Sequence, residues 1–199
     1  INTINDRLLV SSAPSSRKTN YKIKSGDSLA RIAKRKTTIR GLQKGNNIPE
    51  DSQLIHPGQF VRFFPGKWDI EISQSNYTLI LKHQGRFFKY YKVAIGQENR
   101  TPIGKFLIYG KVEDPAWERR GHEPIPAGDT RNVLGTRWMK LKAIPPTIIS
   151  GSGYGIHGTT DPQSIGTPAS QGCIRMKNEQ VEELFDIIPD TIVEVTIRK

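Results

Sequence analysis

The chain has almost no sulfur chemistry to spend: of 199 residues only one is cysteine and two are methionine. A single cysteine excludes an internal disulfide and leaves one thiol that needs a reason to be there. No apolar run approaches the ~18 residues of a membrane span, so no membrane span is expected. There is no glycine-rich nucleotide loop and no cluster of metal-ligating residues, which argues against a cofactor or a metal site. Acidic residues are scarce in one place: residues 15–67 hold 12 Lys/Arg against 3 Asp/Glu, a net +9, whereas 68–199 are nearly balanced at +2. The formal charge of +11 therefore belongs to the N-terminal part, which suits an anionic polymer such as nucleic acid, a membrane surface or a cell wall. The chain starts at Ile1 rather than Met. It reads as processed or trimmed, with any export signal or anchor upstream.

Gly and Pro fall in short turns rather than low-complexity tracts, so most of the chain should fold. Residues 1–19, with the polar stretch Ser11-Ser12-Ala13-Pro14-Ser15-Ser16, read as a flexible leader. Tyr21-Lys22-Ile23-Lys24 alternates like a strand, and Asp27 is placed to cap a helix whose Leu29, Ile32 and Ala33 share a face. A second short helix carrying Ile39 and Leu42 stops at Gly45-Asn46-Asn47, and Pro57-Gly58-Gln59 turns the chain into a strand at Phe60–Phe64. The pattern Tyr21-x-Ile23-x-x-Gly26-Asp27-Ser28-Leu29-x-x-Ile32-Ala33, with Asn46 and Pro57-Gly58-Gln59 downstream, resembles a lysin motif (LysM). That resemblance implies a small βααβ unit at 20–66 that binds the N-acetylglucosamine-containing glycan of peptidoglycan or chitin.

From Pro65-Gly66 the pattern changes to strands. Trp68, Ile70 and Ile72 alternate, as do Tyr77, Leu79 and Leu81, and 68–95 read as a meander. A strand follows at Gly104–Val112. Residues 113–130 have no period and carry Pro115, Gly121, Pro124, Pro126 and Gly128, a long loop of the kind that forms lids. Val181, Leu184, Phe185 and Ile188 keep the i, i+3, i+4, i+7 spacing of a helix packed on a sheet, with Asn178 as its expected cap, and Val193, Val195 and Ile197 close the domain as a strand. The domain at 67–199 is thus mostly β with one C-terminal helix.

Chemistry concentrates in Tyr154-Gly155-Ile156-His157-Gly158-Thr159 and Ser170-Gln171-Gly172-Cys173-Ile174-Arg175-Met176. His157 and Cys173 lie 16 positions apart, a spacing that two strands and a loop can close. A free thiol with a pKa of about 8.5 is mostly protonated at neutral pH and needs an imidazole to hold or generate the thiolate. Gly158 and Gly172 let backbone approach a substrate where a Cβ would obstruct it. The Gly172-Cys173 turn can aim N–H groups at an oxyanion. Arg175, two residues on, offers a fork for a substrate carboxylate. Asp161-Pro162 reads as a turn rather than a catalytic carboxylate.

These residues resemble the L,D-transpeptidase family, whose signature is His-Gly, a spacer and Ser/Thr-x-Gly-Cys-hydrophobic-Arg. The likeness extends to Thr101-Pro102-Ile103-Gly104-Lys105-Phe106 and Asn132-Val133-Leu134-Gly135-Thr136-Arg137-Trp138. It implies a β-sandwich-like fold, no metal, and a Cys173–His157 pair whose imidazole is oriented by the Gly158 carbonyl. It also implies an oxyanion site at Gly172 and Cys173, with Arg175, Ser170, Tyr154 and Trp138 lining the substrate site. The implied reaction is acyl transfer between peptidoglycan stem peptides in the cell envelope, with carbapenem-type β-lactams trapping the thiol. Gln171 stands where many members carry His or Lys, which leaves His122 in the long loop as a substitute or simply a solvated side chain. Three other readings remain: a carboxypeptidase or amidase using water, a wall-binding protein with a degenerate enzyme domain, and a nucleic-acid binder. Intact Cys173 and His157 oppose the second. Tyr21, Phe60, Phe63 and Phe64 at core strand positions oppose the third.

Overall fold

A computed structural model of the chain describes residues 5, 9, 11, 14–34, 36–118, 121–149, 151 and 153–199. The N-terminal unit is a two-stranded antiparallel ribbon, β1 (Thr19–Lys22) against β2 (Phe60–Phe63), with helices α1 (Leu29–Ala33) and α2 (Ile39–Gly45) between them. Leu29, Ile32, Ala33, Leu42, Val61 and Phe63 are buried together beneath Ile23 and Ile48. Helices of one to two turns do not hold themselves in water, so this apolar face is what stabilises them. The cap of α1 is Ser28, whose hydroxyl accepts from the Arg31 N–H. Asp27, expected there, instead accepts from the Lys24 N–H and the Tyr21 hydroxyl and ties the turn to β1.

The second unit is a sheet of eight strands in the order β11 (Ile174–Arg175), β9 (Gly155–His157), β8 (Arg137–Ala143), β7 (Gly104–Glu113), β12 (Val193–Arg198), β3 (Trp68–Ser73), β4 (Thr78–His83) and β5 (Arg86–Lys92). β3 (Trp68–Ser73), β4 (Thr78–His83) and β5 (Arg86–Lys92) form the expected meander. β12 (Val193–Arg198) lies between β3, to which it is parallel, and β7 (Gly104–Glu113), to which it is antiparallel. β8 (Arg137–Ala143) extends the sheet to β9 (Gly155–His157) and β11 (Ile174–Arg175). A short parallel pair, β6 (Ile95–Gly96) with β10 (Pro168–Ser170), stands beside the sheet. α3 (Asn178–Ile187) covers one face through Val181, Leu184, Phe185 and Ile187, all buried. Lys111 holds its far end, donating to the Phe185 and Ile188 carbonyls at 2.7 and 2.8 Å. No described helix is long and apolar enough to cross a membrane.

One further expectation is corrected. Asn178 is the first residue of α3 rather than its cap: Lys177 occupies the cap position without a side-chain bond, and Asn178 Oδ1 accepts from the Thr159 N–H. Of the expected leader, residues 1–4, 6–8, 10, 12 and 13 lie outside the described residues. Asn5 is buried and donates to the Phe88 carbonyl, Leu9 packs on the core of the second unit, and β1 begins at Thr19. The two units also touch directly, with Thr38 Oγ1 bonded to the Asp186 carbonyl and Lys44 Nζ 2.6 Å from the Asp186 carboxylate.

Candidate active site

β9 and β11 are neighbours in parallel register, with His157 opposite Arg175 and Ile156 opposite Ile174. Cys173 immediately precedes β11, and the register carried back by one residue sets it opposite Gly155, two positions before His157 on the neighbouring strand. Met176 N–H donates to the His157 carbonyl, and Arg175 is locked by a reciprocal pair of bonds to Ala94 at 2.9 Å. Both strands are short, and this cross-bonding from outside them fixes their positions.

His157 is 2% exposed, its Nδ1 is 2.6 Å from the Gly158 carbonyl, and the Trp138 ring lies against it at 5.2 Å and 31°. A carbonyl can only accept, so Nδ1 carries the hydrogen and Nε2 is left as the proton acceptor. Burial drives the imidazole pKa from its usual 6.5 down to about 4; the backbone hydrogen bonds at Gly158 and Leu134 oppose this, and the Arg175 charge adds to it. The thiol of Cys173 is partly exposed and donates to the Gly153 carbonyl at 3.5 Å. Burial pushes its pKa up, while the backbone hydrogen bond from Gly155 and the Arg175 cation hold it down. Both shifts favour the uncharged forms, so the resting pair is thiol and neutral imidazole.

Ser170 is buried, and its hydroxyl accepts from the Gly172 N–H at 3.0 Å while donating to the Cys173 carbonyl at 2.6 Å. Ser170 thus braces the Gly172–Cys173 turn from inside, and the Gly172 N–H, expected with that of Cys173 at the oxyanion site, is engaged by its hydroxyl. No acceptor for the Cys173 N–H is found among the described residues. Gly172 itself has φ +131, and a Cβ there would lie 2.8 Å from the Tyr154 ring and 2.9 Å from the Arg100 carbonyl. Tyr154 is thus a wall of the turn. Arg175 Nε is buried with no partner among the described residues, and Trp138 is partly exposed beside His157.

Asn178 contributes without having been foreseen. A Cβ on Gly158 or on Gly135 would run into its Oδ1, so its amide fills the space those glycines vacate and supports the segment whose carbonyl orients His157. Asn132, buried, donates to the Pro115, Ile125 and Pro126 carbonyls at 2.8, 3.2 and 3.1 Å and accepts from the Leu134 N–H, pinning the long loop. Trp117 and Ile125 pair across that loop. His122 is exposed and Gln171 is bonded to Arg100. Among the described residues no three His, Cys, Asp or Glu side chains gather in a way that could hold a metal.

Residues 67–197 match the L,D-transpeptidase catalytic domain and residues 21–63 the LysM domain. The chain is 33% identical over 186 residues to a putative L,D-transpeptidase of Bacillus licheniformis, covering 88% of this chain and 98% of that protein. It is 32% identical to the Bacillus subtilis counterpart, covering 90% and 98%. An L,D-transpeptidase of Mycobacterium smegmatis superposes with a TM-score of 0.53 at 17% identity, over 71% of this chain and 64% of that one, which is a likeness of fold. The chain belongs to the L,D-transpeptidase family and carries an N-terminal LysM domain.

Proposed function

We propose that this chain is an extracytoplasmic peptidoglycan L,D-transpeptidase that transfers an acyl group from a tetrapeptide stem through a Cys173 thioester, releasing D-Ala and forming cross-links between third stem residues. The observation that carries this reading is the buried, neutral His157, its tautomer set by Gly158, on the strand beside a single, partly accessible thiol. With thiol and imidazole both uncharged at rest, His157 acts as a general base at the moment of attack rather than as half of a standing ion pair.

The sulfur of Cys173 attacks the carbonyl of the third stem residue as its proton passes to His157 Nε2. The Cys173 N–H receives the developing oxyanion. When the carbon–nitrogen bond breaks, His157 returns that proton to the departing D-Ala nitrogen, leaving the thioester. An amine of a second stem then attacks, gives its proton to His157, and expels the thiol, which recovers the proton. Arg175, whose buried Nε has no partner among the described residues, suits a stem carboxylate. The LysM domain and its positive charge hold the enzyme on the wall.

Incubation of the full chain with a purified tetrapeptide muropeptide tests the proposal by product mass. Cross-linked dimers with loss of D-Ala are expected. Tripeptide alone would make it a carboxypeptidase, and unaltered tetrapeptide would overturn the acyl-transfer reading. A covalent carbapenem adduct on Cys173, absent in Cys173→Ala, is the matching mass signature.

A further inference from the structure

Thr101 is far from the thiol and the imidazole in sequence, yet it is bonded to the turn that carries the nucleophile. It is 1% exposed. Its hydroxyl accepts from the Gly96 N–H at 2.7 Å and donates to the Gly172 carbonyl at 2.9 Å. Its own carbonyl accepts from Gln74 Nε2 at 2.9 Å, and Gln74 is buried too. The Gly172 carbonyl belongs to the same peptide unit as the Cys173 N–H. In a planar trans peptide these two groups point in opposite directions, so fixing the carbonyl fixes the aim of the N–H. A hydroxyl donating to that carbonyl also polarises the amide and makes its N–H a better donor.

The surroundings are built for this contact. A Cβ on Gly96 would lie 2.8 Å from the Gly172 Cα and 2.7 Å from the Thr101 N, so only glycine lets the two turns meet. Between Gly96 and Thr101 the backbone passes through two consecutive left-handed residues, Glu98 at φ 51 and Asn99 at φ 57. Such conformations are disfavoured for non-glycine residues and persist where the surroundings impose them. Here they fold the chain back so that Thr101 lies under the nucleophile turn. Since Ser170 takes the Gly172 N–H, the Cys173 N–H is the donor that this turn has left to offer.

We propose that Thr101 is a positioning residue for the oxyanion donor, holding the Gly172–Cys173 peptide so that the Cys173 N–H meets the carbonyl under attack. The inference rests on the acyl-transfer reading of the site. It is separable from the identity of the donor, because any activated ester develops the same oxyanion at Cys173.

The test compares two reactions of Cys173 in the full chain. Acylation by p-nitrophenyl acetate needs the oxyanion donor, whereas alkylation by iodoacetamide is a displacement at saturated carbon and does not. Thr101→Val is expected to slow acylation about 10- to 100-fold, less than the ~10²–10³ that follows outright removal of a donor. Alkylation should keep its rate within about twofold and its pH profile unchanged. Thr101→Ser, which keeps the hydroxyl, should restore acylation. Equal loss of both reactions, unchanged acylation in Thr101→Val, or no rescue by Ser would overturn the proposal. Should Thr101→Val not fold, Gln74→Ala loosens the same anchor and is expected to reduce acylation selectively, and an unaltered ratio of the two rates would refute it. Wild type that takes the ester but not the tetrapeptide would refute the stem-peptide reading and leave the role of Thr101 standing. Wild type that takes neither would refute both.

Discussion

Acid should destabilise this protein through the group that is meant to act as its base. His157 is buried neutral with a folded pKa of about 4 against 6.5 when unfolded. The depressed value means that the unfolded chain takes up a proton that the native site refuses. Stability from this group is therefore complete above pH ~6.5 and drains away as pH falls toward ~4. Each pH unit in that window is worth about 1.4 kcal/mol, so about 3 kcal/mol is lost across it. His83, buried and bonded to the Pro65 carbonyl, is shifted in the same direction by burial and adds its own loss. The way to isolate His157 is the difference between wild type and His157→Gln, whose amide can still donate to Gly158 but does not titrate. Urea unfolding followed by tryptophan fluorescence at several pH values from 8 to 4 should give curves that converge by about 3 kcal/mol as pH falls. Parallel curves would mean that His157 is not held neutral by burial, and the general-base reading would fail with it.

Asn178→Ala should leave the Thr159 N–H unpaired and open the space beside Gly135 and Gly158, costing about 1–3 kcal/mol. Calorimetry should show a melting temperature lower by several degrees, roughly 2–4 °C per kcal/mol at this size. Asn132→Ala removes the three carbonyl contacts that pin the long loop, so limited proteolysis should cut between 115 and 128 much faster than in wild type, and equal rates would show the loop to be held elsewhere. Asp186→Ala breaks the ion pair with Lys44 across the two units; because Lys44 is well exposed, the loss in urea unfolding should be within about 1 kcal/mol. Binding of the full chain to insoluble peptidoglycan should fall in part between 0.1 and 1 M salt, where the Debye length shrinks from ~10 to ~3 Å, and a pelleted fraction independent of salt would remove charge from the account of targeting.

Local rules served well where a residue's partners are close in sequence. The alternation of Trp68, Ile70 and Ile72 and the helical spacing of Val181, Leu184 and Phe185 each named one buried face, and all six are buried. His157 and Cys173 could be singled out because a thiol needs an imidazole to hold or generate its thiolate, and the β9–β11 pairing brings their two segments side by side. Capping was less legible. Asp27 and Asn178 both have good capping side chains, but other contacts claim them: the Lys24 N–H and Tyr21 hydroxyl of its own turn for Asp27, and the more distant Thr159 N–H for Asn178. Ser170 and Thr101 show the same limit: their hydroxyls are committed to backbone groups of the nucleophile turn, and Gly172 N–H is spent on one of them. The polar composition of residues 1–19 gives no sign of two contacts with the second unit, those of Asn5 and Leu9.

The place of β12 also governs when the molecule can come into being. Val193–Arg198 bridges β3 and β7, so the sheet's two halves have no direct seam until that strand is laid between them. A nascent chain short of residue 193 holds two sets of strands with open edges and no way to join them. The meander can form early, but the β7-β8-β9-β11 half, which carries His157 and leads from Cys173, is docked onto it only once β12 has been made. Strand pairing over such sequence distances is slow, and open edges invite pairing with other chains. A chain cut short of residue 193 should therefore keep the meander yet leave the half of the sheet that carries His157 undocked.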